Sequence, residues 1–172
     1  MSPDRALSED HVVAVVEIAK GGRNKYEYDH ERHVILLDRR LFSSTVYPAD
    51  YGFIPDTLSE DGDPLDVLVI LEEPTFPGCH ILVRPLGVFR MADEHGPDAK
   101  ILAVPARDPQ ARDIHGLEDL PAHLTDEIAH FFDVYKDLEP GKETVVHGFA
   151  GIDEAWAEIE ASRRRYREIH AG

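Results

Sequence analysis

Asp61-Gly62-Asp63-Pro64-Leu65-Asp66 places three aspartates within six residues and runs directly into the apolar stretch Val67-Leu68-Val69-Ile70. The arrangement puts carboxylates at the mouth of a strand. Oxygen donors at this density suit a hard divalent cation such as Mg²⁺, which accepts one or two carboxylates and keeps waters for a phosphate to displace. Gly62 supplies the turn, while Pro64 fixes its own φ and pushes Asp63 into an extended conformation, so the local backbone is stiff. A stiff loop holds carboxylates at fixed separations, as a metal cluster requires. Asp61, Asp63 and Glu72 also fall at positions 1, 3 and 12 of an EF-hand loop, but that reading fails. Leu65 stands at position 5 and Asp66 at the glycine position, and a strand-like run fills the second half.

Outward from this stretch, short strand-like segments are expected at His11 to Ala19, Lys25 to Asp29, Val34 to Leu37, Asp66 to Leu71, His80 to Met91 and Lys100 to Val104. Helical period appears late. Leu124, Ile128, Phe131, Phe132 and Tyr135 share one apolar face, ended by Pro140-Gly141, and Ile152, Trp156, Ile159, Tyr166 and Ile169 repeat the pattern near the C-terminus. Strands first and helices afterwards predict an α+β fold, with a sheet or barrel covered by two helices. There is no internal repeat and no linker, so residues 11–172 read as one domain, preceded by a polar, frayed stretch over residues 1–10.

A length of 172 residues and a hydrophobic content of 42% are ordinary for a globular domain. The net charge of -16, from 34 acidic against 18 basic residues, argues against nucleic-acid or anionic-membrane partners, both of which would be repelled. The single cysteine, Cys79, has no intrachain partner and fits a reducing compartment. The start Met1-Ser2-Pro3-Asp4-Arg5 has no basic region leading into an apolar stretch, so the expected location is the cytoplasm.

A second acidic cluster, Asp93-Glu94-His95-Gly96-Pro97-Asp98-Ala99-Lys100, reads as a loop between two strands. Alone it reads as a solvated acidic turn. Opposite the first cluster it could share metal ions across a barrel mouth. Glu17, embedded in Val12 to Ile18, must either project outward at an edge or serve a site. Period-2 alternation puts Lys25 and Glu27 on one face of a strand and Tyr26 and Tyr28 on the other, which suits either a surface ion pair or phosphate binding beside a metal. Arg39 is placed after a strand, Tyr47 to Gly52 reads as a turn-rich segment, and Lys136 at a helix end is explained by the helix dipole alone. Together with Lys100 these cations and the acidic loops have the composition of a phosphoryl-transfer site, where charge neutralisation does most of the work. No G-x-x-x-x-G-K-[ST] loop is present, so no nucleotide site can be argued.

The order of motifs resembles the soluble family I inorganic pyrophosphatases of prokaryotic type. It comprises Glu17, Lys25-Tyr26-Glu27, Leu37-Asp38-Arg39, Tyr47-Pro48-Ala49-Asp50-Tyr51-Gly52, Asp61 to Asp66, Asp93 to Lys100 and Tyr135-Lys136-Asp137-Leu138-Glu139. The resemblance spans residue 11 to the C-terminus. It implies an OB-like five-stranded β-barrel with flanking helices, a cytoplasmic homohexamer, and hydrolysis of pyrophosphate to two orthophosphates by a metal-activated water attacking in line. Several Mg²⁺ ions per site are implied, with Mn²⁺ or Zn²⁺ able to substitute.

Carried over residue by residue, the resemblance makes Asp61, Asp66, Asp93 and Asp98 metal ligands, with Glu17 and Glu27 as outer metal-site carboxylates. Lys25, Arg39, Tyr135 and Lys136 become phosphate contacts, Lys100 supports them, and Tyr51 closes the pocket. Asp63 resembles the general base, with Asp98 the second choice. His30 and His95 stand close to these positions and depart from the commoner family pattern. A non-catalytic metal- or phosphate-binding relative is the competing reading, against which the full set of motif positions speaks.

Overall fold

A computed structural model of the chain describes residues 9–172. The frayed stretch expected over residues 1–10 therefore lies, but for its last two positions, outside the described residues. Eight strands and two α-helices follow: β1 (Val12–Ile18), β2 (Asn24–Asp29), β3 (Val34–Arg40), β4 (Asp50–Phe53), β5 (Asp66–Val69), β6 (His80–Asp93), β7 (Gly96–Pro105), α1 (Ala122–Val134), β8 (Thr144–Ala150) and α2 (Ile152–His170).

The main sheet runs β1-β4-β5-β7-β6-β8, and a further β1–β6 pairing closes its first five strands into a ring. This is the expected OB-like five-stranded barrel. β5 and β7 are parallel neighbours and the other pairings are antiparallel. The sheet is buried on both faces, which accounts for the unbroken apolar runs of its strands. Val67 and Val69, with Ile101 and Ala103, pack in a cluster with Ala155 and Ile159 of α2. Leu68 and Leu102 join the opposite cluster with Ile128, Phe131 and Phe132 of α1. Burial of each of these α1 side chains contributes about 1.5–3 kcal/mol at most. α2 carries Asp153 and Glu154 in its first turn and Arg167 and His170 in its last, each sign suited to the helix dipole.

Several element assignments need correction. Tyr47 to Gly52 is not simply a turn, because Asp50–Phe53 forms β4 between β1 and β5. Gly52 permits it: a Cβ there would stand 1.8 Å from the carbonyl oxygen of Val15 on the crossing strand. Asp93 to Lys100 is not an open loop, since β6 continues through Asp93 and β7 begins at Gly96, leaving Glu94-His95 as the turn. Arg39 lies within β3 rather than after it. β8 falls between the two helices, so the order is not strictly strands then helices. Its Gly148, at φ +109, disrupts the alternation by which it would be recognised. β2 and β3 form a separate two-stranded hairpin, against the barrel but outside its ring.

Candidate active site

Topology gathers the acidic residues at one end of the barrel. Parallel β5 and β7 start at Asp66 and Gly96, and antiparallel β6 ends at Asp93, so all three termini face the same way. The register then aligns Phe53, Asp66 and Lys100 as direct neighbours across β4, β5 and β7. From that end opens a cavity of about 870 Å³, walled by the acidic loop, the β6–β7 turn, the β2–β3 hairpin and the segment after α1. All thirteen site residues expected from sequence line it.

Lys100 is the centre of the barrel wall. Its side chain is 2% exposed, and Nζ donates to Tyr51 Oη at 2.8 Å, Asp66 Oδ2 at 2.9 Å and Asp98 Oδ2 at 3.0 Å. Burial alone would lower its pKa, but the Asp66 and Asp98 carboxylates outweigh burial and hold it well above the ordinary lysine value. Tyr51 Oη donates in turn to Asp66 Oδ2 at 2.8 Å. Desolvation pushes the Tyr51 and Tyr135 phenols up, so both stay protonated donors.

The acidic loop is built locally. Gly62 takes φ +90, Asp63 donates its backbone N–H to Asp61 Oδ1, and Ser59 N–H closes the turn on the Asp63 carbonyl. Behind it, buried Thr57 donates to the Ile54 carbonyl and accepts the Leu65 N–H. Asp63 itself is exposed into the cavity. Asp61 and Asp98 have raised pKa values, first from burial and then from neighbouring carboxylates.

Glu17 lines the cavity rather than projecting at an outward edge. The β1–β4 register slips between Val16 and Ile18, a bulge that re-aims the side chain, and its Oε2 accepts the Tyr28 N–H at 2.8 Å. Burial, with Asp66 nearby, pushes its pKa up to about 7. On the hairpin, Lys25 pairs with Glu27 and stands 4.0 Å from Asp38. Tyr26 packs into the α1-side cluster as alternation predicts, while Tyr28 stacks near Phe53 and His30. Lys136 is not merely a helix-end cation, because it is buried with Nζ 3.5 Å from Asp93 Oδ2.

Ten carboxylates and only five lysines and arginines line the cavity. Left to themselves they would repel an anion. The donors are oxygens, burial raises the pKa values of Glu17, Asp61 and Asp98 among them, and lysines are interposed between them. Among the described residues no three acidic or histidine side chains already stand as a closed ligand set. The oxygen-only donor set fits a hard divalent cation. Sequence reasoning assigned no role to Asp38, Glu94, Glu139 or Lys142, which also line the wall. Glu139 was visible only as the end of the Tyr135-to-Glu139 motif, where an acidic residue before Pro140 reads as a chain turn.

A barrel with carboxylates and cations converging on one end is a candidate site for metal ions and phosphate, and known proteins share this fold. The model of the inorganic pyrophosphatase family matches residues 14–167. The inorganic pyrophosphatase of Streptomyces coelicolor is 58% identical over 89% of this chain and 94% of that protein. That of Methanosarcina acetivorans is 54% identical over 94% and 96%. The crystal structure of the inorganic pyrophosphatase from Thermus thermophilus superposes with a TM-score of 0.91 at 43% identity, covering 96% of this chain and 97% of that one. The chain belongs to the inorganic pyrophosphatase family, whose members are metal-dependent hydrolases.

Proposed function

We propose that the chain hydrolyses inorganic pyrophosphate to two orthophosphates with several Mg²⁺ ions, for which Mn²⁺ or Zn²⁺ can substitute, and that residues 11–172 act as one unit in doing so. The observation that carries the reading is the charge of the cavity. Its excess of carboxylates excludes a bare polyanion and makes binding conditional on divalent cations. When bound, such ions offset phosphate charge and lower the pKa of water.

In this reading Asp61, Asp66, Asp93 and Asp98 hold the metals, with Glu17 and Glu27 behind them. Lys25, Arg39, Tyr135 and Lys136 bind and orient the phosphates by charge-assisted donation. Lys100 bridges Asp66 and Asp98, and its bond to Tyr51 fixes that phenol at the pocket wall. Asp63, exposed into the cavity, accepts the proton of the attacking water; Asp98 is the weaker choice because its Oδ2 is already bonded to Lys100.

Purified protein with Mg²⁺ is expected to release orthophosphate from pyrophosphate and far less from ATP. Silence across Mg²⁺, Mn²⁺ and Zn²⁺ would leave a binding module instead. No helix among the described residues is long and apolar enough to cross a membrane. A cytoplasmic homohexamer completes the proposal. It is supported by apolar side chains left open at Leu36 and Leu37, which a second copy would cover. Light scattering coupled to gel filtration decides it, and a monomer at neutral pH removes the hexamer.

A further inference from the structure

Arg39 meets two carboxylates of different standing. Nη1 pairs with Asp38, the preceding residue on β3, whose side chain is 38% exposed. Nε lies 2.5 Å from Oε1 of Glu139, whose side chain is only 3% exposed and comes from the segment after α1. That contact is an ion pair off the line of the N–H, so it holds the guanidinium by charge rather than by an aligned hydrogen bond. Nη2 of Arg39 is buried and has no hydrogen-bond partner among the described residues, and neither has Oε2 of Glu139.

A buried carboxylate is costly unless its partner needs it. Lys142 reaches Glu139 only at 3.8 Å, from a third-exposed position. The backbone ties Glu139 to the site as well, its N–H donating to the Lys136 carbonyl at 2.9 Å in the segment that carries Tyr135 and Lys136. Asp38 cannot do the same, since it rides on the same strand as Arg39 and moves with it.

We infer that Glu139 is a positioning residue, holding the Arg39 guanidinium in place at the cavity wall for contact with a phosphate. The inference rests on the reading of the cavity as a phosphate site. It has a diagnostic sign. Neutralising a carboxylate beside the cavity would by electrostatics alone tighten anion binding, whereas releasing Arg39 weakens it.

The test is calorimetric titration of inorganic phosphate into wild type, Glu139→Gln, Arg39→Ala and the double variant at one Mg²⁺ concentration. Arg39→Ala should weaken binding about 10- to 100-fold, the range of a lost charged hydrogen bond. Glu139→Gln should weaken it about tenfold, as loss of a supporting partner does. The double variant should bind no more weakly than Arg39→Ala alone. Binding by Glu139→Gln at or above the wild-type level, losses that multiply in the double variant, or no phosphate binding by wild type would overturn the inference. Glu139→Asp, which keeps the charge with a shorter reach, carries the same cycle if Glu139→Gln does not fold. Turnover of pyrophosphate by wild type is measured alongside. Absent turnover with an intact cycle removes the hydrolytic reading alone, and normal turnover with multiplying losses removes the positioning role alone.

Discussion

The two walls of the cavity hold their charges in different ways. On the barrel wall, Lys100, Asp66, Asp98 and Tyr51 are joined by hydrogen bonds of 2.8–3.0 Å around a nearly buried ammonium. On the hairpin wall, Lys25, Glu27 and Asp38 form pairs whose carboxylates are 55% and 38% exposed. Low dielectric makes the first set strong and expensive to break, while solvent screens the second. The barrel wall is thus fixed by folding. On the hairpin wall, in a two-stranded sheet outside the ring, Lys25 is free to adjust to a ligand, while Arg39 is held by the buried Glu139.

The largest test of that difference is Lys100→Met. It leaves Asp66 and Asp98 facing each other without their cation in a buried place, and should cost about 3–5 kcal/mol of stability as well as activity. Urea denaturation reads it, and a midpoint within error of wild type would show that the barrel wall is not set by this lysine. Asp63→Asn separates chemistry from folding on the same wall. Its carboxylate is exposed, so melting should hardly move, while pyrophosphate turnover should fall by about 10²- to 10⁴-fold if it is the base. Normal turnover would pass that role to Asp98.

Across the cavity, Lys25→Met should change stability by no more than about 0.2–1 kcal/mol, the worth of a partly exposed pair. Its effect should instead fall on KM for pyrophosphate. A large loss of melting temperature would mean that the hairpin is as rigid as the barrel. The smallest effect is expected at the turn between β6 and β7. His95 is 74% exposed and 3.7 Å from Glu94, so His95→Gln should leave the Mg²⁺ and Mn²⁺ activity profiles nearly unchanged. A reversal of metal preference would bring the imidazole into the site.

How far these walls were legible beforehand differs in the same way. The Asp61-to-Asp66 loop is local: Gly62 and Pro64 dictate its backbone, and its aspartates were placed from neighbouring residues alone. Lys25 and Glu27 followed from strand alternation. β4 was not legible, because its tolerance of Gly52 depends on Val15, a residue 37 positions away whose carbonyl leaves no room for a Cβ. β8 was hidden for a related reason, being a strand by virtue of its pairing with β6 despite a positive-φ glycine.

By itself, then, the amino-acid order determined the acidic loop, the apolar strand runs, the two amphipathic helices and, through the motif order, the family. Those features depend on interactions within a few residues or on motif order. Only the tertiary structure decided that Glu17 turns inward at a bulge, that Lys136 is buried against Asp93, and that Glu139 meets Arg39. Each of these is a contact between residues from different elements of the chain. Its sign and strength depend on burial and distance, which closure of the barrel creates and no local pattern encodes.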